Sequence, residues 1–194
     1  MSDLETINDL VEKTVLLIFY LGPLTDYDQK TKDTDQWINE LTVQDAGLML
    51  TWVERHNFDS SMFQVSPEWD ATTCRTILEC IGLVAGRESA VDLRLRLESL
   101  LANENLRQCA LYALSKVASA ESLPAIRNIL NDERYATVYE LGCYLAQVKT
   151  VEASKLLDEL LEKYKHLPFY YSTLLGWKRE SELCEGSDMV SPPS

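Results

Sequence analysis

The sequence predicts an all-α fold assembled from stacked helical hairpins. Three observations carry this reading. An apolar pattern returns every 32 residues, each return places small or apolar side chains at three-residue steps, and turn-formers are scarce, with seven Gly and six Pro in 194 residues. Residues three apart share one face of a helix, so each unit offers an apolar stripe that a lone hairpin cannot bury and a stacked neighbour can.

Along the chain, the first element is a helix opened by Ser2 and Glu5, spaced as a capping box, and ending in the buried run Val15 to Leu21. At seven residues that run is far short of the ~20 needed to span a bilayer, and the acids Asp3, Glu5, Asp9 and Glu12 before it are unlike a secretory leader. After the Gly22-Pro23 breaker, TDYDQKTKDTD (Thr25 to Asp35) reads as a polar loop. Leu10-Val11-x-x-Thr14-x-x-Leu17 and Thr42-Val43-x-x-Ala46-x-x-Met49 are faint early copies of the pattern. Residues His56 to Asp70 read as irregular, with Ser66-Pro67 fitting a helix start that places Pro at the first helical position.

The pattern is then regular. Cys74-Arg75-x-x-Leu78-x-x-Ile81, Leu106-Arg107-x-x-Ala110-x-x-Ala113, Val138-Tyr139-x-x-Gly142-x-x-Leu145 and Tyr170-Tyr171-x-x-Leu174-x-x-Trp177 follow one another at 32-residue steps. The helices ahead of them keep the same step through Leu93, Ala125 and Leu157, and through Leu97, Ile129 and Leu161. A glycine inside a helix costs ~1 kcal/mol against Ala, so Gly142 predicts a close approach by a neighbour. The end, CEGSDMVSPPS, has the composition of a disordered tail. The expected organisation is a helical cap with irregular loops over 1–69, repeats over 70–180 and a tail over 181–194.

The stretch Asn103-Glu104-Asn105-Leu106-Arg107-x-x-Ala110-x-x-Ala113-Leu114 resembles the second helix of a HEAT-like, armadillo-type repeat. Asp70 with Cys74-Arg75 matches the same place, while Tyr139 and Tyr171 stand where that family has Arg. The resemblance covers roughly residues 70 to 180. It implies a right-handed α-α superhelix, and a chain that binds other macromolecules.

Net charge is −13 and is unevenly spread. Residues 1–73 carry 14 acidic and 4 basic side chains, 74–179 carry 13 and 14, and the last 15 carry 4 and none. An acidic field repels nucleic acid and anionic membranes and speeds encounter with a basic protein, so the expected partner is a basic protein, with no direct nucleic-acid or membrane binding. Beside those carboxylates stand aromatic side chains suited to anchor a partner. The predicted partner-binding set is Trp37, Phe58, Asp59, Phe63, Glu68, Trp69 and Asp70. A second row of equivalent positions, Arg75, Arg107, Tyr139 and Tyr171, predicts a ladder along the repeats; its plainer role is to bond loops between them.

Catalytic residues, cofactors and metals are not expected. The two histidines, His56 and His166, lie in different units without a carboxylate or Cys at ligand spacing, and no nucleophile elbow or phosphate loop occurs. The five cysteines include no C-x-x-C pair, and four fall within apolar helices, the usage of a reducing compartment, so a cytoplasmic location is expected. In size, acidity and helical class the chain is similar to immunity proteins of contact-dependent and polymorphic toxin systems. That likeness implies a non-enzymatic inhibitor covering a basic toxin's active site. Two alternatives are a HEAT-like tetrapyrrole lyase or chaperone subunit using Tyr139, Tyr144 and Tyr171, and a general assembly scaffold.

Overall fold

A computed structural model of the chain describes residues 7–14, 27–56, 67–130 and 137–185, and every extended element among them is helical. In order these are α1 (7–14), α2 (Tyr27–Glu40), α3 (Val43–His56), α4 (Pro67–Arg87), α5 (Val91–Ser99), α6 (Arg107–Val117), α7 (Leu123–Ile129), α8 (Val138–Val148), α9 (Val151–Tyr164) and α10 (Pro168–Glu185). The all-α prediction holds for these residues. No helix among them is long and apolar enough to cross a membrane.

The four helices that carry the 32-residue pattern pack one on the next: α4 on α6, α6 on α8, and α8 on α10. The cause is the small side chains. Ala110 and Ala113 of α6 are fully buried, and a Cβ built on Gly82 of α4 would fall 2.3 Å from the Ala113 carbonyl oxygen. One turn on, a Cβ at Gly86 would meet the Lys116 carbonyl at 2.6 Å. Gly142 repeats the device between α8 and α10, where an added methyl would sit 2.7 Å from Trp177 Cδ1 and 2.9 Å from Leu174 Cδ2. The close approach predicted from Gly142 is therefore present, and Trp177 is what occupies it.

The alternate helices lie against this row by one face. α9 buries Ala153, Leu156, Leu157, Leu160, Leu161 and Tyr164, a stripe at steps of three and four, and leaves its charged residues outside. α7 departs from the expected register. Its buried residues are Leu123 and Ile126, followed by Leu130, while Ala125 and Ile129 are only half-buried, because a 3-10 turn at Ala120–Ser122 feeds into a helix of seven residues.

Each of α4, α6 and α8 stops on a residue with left-handed backbone: Ser89 (φ 50°), Ala118 (φ 50°) and Lys149 (φ 49°). After α4 the turn closes with the Ala90 amide donating to the Ala85 carbonyl at 2.9 Å, the usual way of satisfying a helix's last carbonyls. The next helix after α8 starts at Thr150, whose hydroxyl accepts from the Ala153 amide at 3.2 Å.

One expectation changes at the N-terminal side. Thr25 to Asp35 is not a loop throughout, because α2 is helical from Tyr27. The stretch holds no Gly or Pro after the Gly22-Pro23 break, and among its described side chains α2 packs against the core through Trp37 and Ile38, so its composition stays polar while its backbone is helical. α2 is tied to the repeats by Arg87, which donates to the Ile38 carbonyl at 3.0 Å and to the Leu41 carbonyl at 2.6 Å. α3 opens on a reciprocal cap in which Asp45 accepts from the Thr42 amide at 2.9 Å and donates its own amide to the Thr42 hydroxyl at 3.2 Å. α4 does begin at Pro67, as Ser66-Pro67 predicts. At the other end α10 runs on to Glu185, covering the first residues of the expected tail. The run Val15 to Leu21 lies outside the described residues.

Candidate functional site: a polar and aromatic face across α4, α6 and α8

Across α4, α6 and α8 a cluster of polar and aromatic side chains interrupts the apolar pattern. Arg75 of α4 lays its guanidinium over the Tyr112 ring of α6, 4.0 Å from the ring centre, and reaches Glu140 of α8 at 3.5 Å. Gln108 of α6 donates to the same Glu140 oxygen at 3.0 Å. Lys116 stands 4.8 Å from the Tyr112 centroid and pairs with Glu79 of α4 at 3.0 Å. Tyr112 thus has two cations close to its ring, each paired with a carboxylate.

Glu140 is 1% exposed, and its second oxygen, Oε2, is buried without a hydrogen-bond partner. A buried carboxylate with half its acceptors unmet is costly as an anion. Burial therefore pushes the Glu140 carboxyl above the usual range, against the pull of Gln108 and Arg75. At Lys116, burial works to lower the ammonium, and Glu79 and Tyr112 more than offset it, so the group is held above its ordinary value. Tyr139, 45% exposed, meets Trp177 of α10 edge to face, with centroids 5.4 Å apart. The Trp177 Nε1 donor is buried and unpartnered.

Of the predicted ladder, two members join this cluster and two do not. Arg75 and Tyr139 are in it. Arg107 donates through Nε to the Leu101 carbonyl at 2.6 Å, the plainer loop-bonding role. Tyr171 is 38% exposed at the start of α10. Tyr112, Gln108, Lys116 and Glu140 are not among the predicted positions, and Trp177 enters the prediction only as an apolar position of the 32-residue pattern. One signal for them was present: Gln108 and Glu140 are 32 residues apart, so they stand at equivalent positions, and Glu140 is a lone carboxylate inside an apolar run.

The predicted partner-binding set is only partly within view. Trp37 packs against the core, donates its indole N–H to the Thr14 hydroxyl at 3.2 Å and is covered by Lys13, 3.7 Å from its ring centre. Phe58, Asp59 and Phe63 lie outside the described residues. Glu68, Trp69 and Asp70 stand in the first turn of α4, but their side chains lie outside the described residues. Tyr144, offered for a chromophore cleft, is fully buried with its hydroxyl bonded to the Ser119 carbonyl at 2.6 Å, so it faces no cleft.

A second polar cluster serves the fold. A cavity of about 250 Å³ between the ends of α4 and α6 is lined in part by Arg94, Ser119 and Glu121. Arg94 is 8% exposed and is spent on Glu98 at 2.5 Å and Glu121 at 2.6 Å, while Ser122 donates to Glu98 at 2.6 Å. Cys74, Cys80, Cys109 and Cys143 are all buried and outside any disulfide, the core placement expected of them. His166 is exposed, and no group of three metal-ligating side chains converges among the described residues.

Set beside models of protein families, curated proteins and solved structures, the chain matches none of them. The class is therefore the one the helices define, an all-α chain whose pattern-bearing helices pack in series.

Proposed function

We propose that the chain is a non-enzymatic protein-binding module, built as a short HEAT-like right-handed superhelix, whose partner is a basic protein. The observation that carries this is the face across α4, α6, α8 and α10. There, Tyr112, Tyr139 and Trp177 are grouped with charges already paired to one another. Aromatic side chains framed by fixed charges supply the apolar anchors and the polar rim of an interface.

The acidity of residues 1–73 extends the proposal to a cytoplasmic immunity protein. Carboxylates such as Asp59, Glu68 and Asp70 enter a groove that a toxin built for an anionic substrate, and Phe58, Phe63 and Trp69 anchor beside them. The partner is to be captured at low salt, identified, purified and measured against variants. Tyr139→Ala with Trp177→Ala is expected to weaken binding by at least ~30-fold, mainly through faster dissociation. Charge reversal at Asp59, Glu68 and Asp70 slows association by roughly tenfold at low salt and flattens its salt dependence. Affinity and on-rate unchanged in both sets, with the variants folded, would sink the proposal.

A further inference from the structure

We infer that the cavity between the ends of α4 and α6 is a binding site for a free α-amino acid with a compact aliphatic side chain. Its volume of about 250 Å³ lies below the ~300 Å³ at which pockets for drug-sized ligands begin, so the occupant is small. The wall is mixed. Ala85, Val91 and Val117 supply apolar surface, while Arg94 and Glu121 supply one charge of each sign. Val91 is 55% exposed, which puts it at the mouth.

The two charges are held unequally. The Arg94 side chain is 10% exposed and that of Glu121 is 70% exposed. The inner partner of Arg94, Glu98, sits at 2.5 Å and takes a second bond from Ser122, so this half of the network holds the fold. Glu121 closes on the other guanidinium nitrogen, Nη2, at 2.6 Å, from a 3-10 turn of three residues. A carboxylate so open to water gains little from its pair and is easily exchanged. A guanidinium so deeply buried must keep a partner. A ligand carboxylate that takes over Nη2 meets both conditions, and the displaced Glu121 carboxylate then faces the ligand's ammonium. The ligand is thus a zwitterion. Being neutral, it is not turned away by a chain of net charge −13, as a simple anion would be.

The start of α5 adds donors on the same side. α4, α6 and α8 stop on Ser89, Ala118 and Lys149, and the residue after each opens the next helical turn. Ser119 caps by accepting from the Glu121 amide, and Thr150 by accepting from the Ala153 amide. At the first of the three turns that residue is Ala90, whose side chain makes no cap, and Ala90 lines the cavity. Side chains on a helix tilt toward its N-terminus, so Arg94, one turn into α5, leans to the same end. A carboxylate on Arg94 is therefore also close to the first amides of α5, where a hydroxyl serves in the other two turns.

The test titrates the full, folded chain by calorimetry with leucine and with two analogues that each lack one charge. 4-Methylpentanoic acid keeps the carboxylate, and 3-methylbutylamine keeps the ammonium. Leucine is expected to saturate one site, with both analogues weaker by at least ~10-fold, since each leaves one charge of the cavity unmatched. Glu121→Gln is expected to weaken leucine by at least ~10-fold and to erase its advantage over 4-methylpentanoic acid. Arg94→Gln is expected to abolish binding of leucine. Circular dichroism checks each fold, and if Arg94→Gln does not fold, the analogues and Glu121→Gln decide, because Glu121 is a surface side chain. The inference is overturned if leucine does not saturate, if either analogue binds as tightly, or if folded Glu121→Gln binds leucine as the parent does. No protein partner enters the titration, so its outcome is independent of the binding proposal.

Discussion

α8 and α9 are neighbours in the chain and in space, and they bury themselves differently. α8 buries nine of its eleven residues, including Gly142, Cys143 and Ala146, whereas α9 buries six of fourteen along a single stripe. α8 is enclosed by α6, α9 and α10, and a helix packed from several directions has to be apolar nearly all round. It also has to be thin where a neighbour comes close. Gly82, Gly86 and Gly142, whose Cβ atoms would strike a neighbour, all lie in the row α4–α6–α8–α10. The alternate helices are specified by amphipathic pattern, the row by the absence of bulk.

The sharpest way to break that contrast is to add one methyl group at two glycines. Gly82→Ala would drive a carbon into the Ala113 carbonyl, a backbone atom that cannot rotate aside. The expected loss is ~3 kcal/mol or more, read from urea unfolding. Gly176 in α10 has open space around its Cβ direction, so Gly176→Ala is expected to gain ~1 kcal/mol from helix propensity alone. If both variants shift the midpoint in the same direction, close approach is not what sets the row apart.

Next in size is the polar break in the row at Glu140. Its folded-state pKa is raised above the unfolded one, so the folded chain holds the proton more tightly. Stability from this group is fully present below the ordinary Glu value of ~4.3 and is lost as pH rises through the raised value. Glu140→Gln keeps the side chain neutral and is expected to gain ~1 kcal/mol near pH 7, with the gain vanishing as the pH falls below ~4.3. Denaturation midpoints across pH measure it, and a gain independent of pH would contradict the burial argument. The smallest effect belongs to the turns: Ala118→Gly relieves a left-handed residue and is expected to add ~0.5–1 kcal/mol.

The row was legible because small and apolar residues at three-residue steps can only mean one thing for helix contact, and the 32-residue return supplied the partner. α2 was not, since a helix whose described contacts with the core are Trp37 and Ile38, in an otherwise polar segment, has the composition of a loop. α7 slipped by one or two positions because a 3-10 turn at Ala120–Ser122 sets its register, and such a turn leaves no periodic trace. At the candidate site Arg75 and Tyr139 were visible as repeated positions. Trp177 was visible only as an apolar position of the pattern, and Tyr112 and Glu140 were not predicted for the site, because the cluster is made where side chains from four helices meet, and a linear pattern names residue types without saying which way they point.

Gly142 and Trp177 are a lock in which each half makes sense only with the other: the indole fills space that a side chain at 142 would claim. Inheritance should treat the two as one character. Across descendants of this chain, a larger residue at the first position should arrive together with a smaller one at the second, and a lineage that keeps the tryptophan should be unable to abandon the glycine.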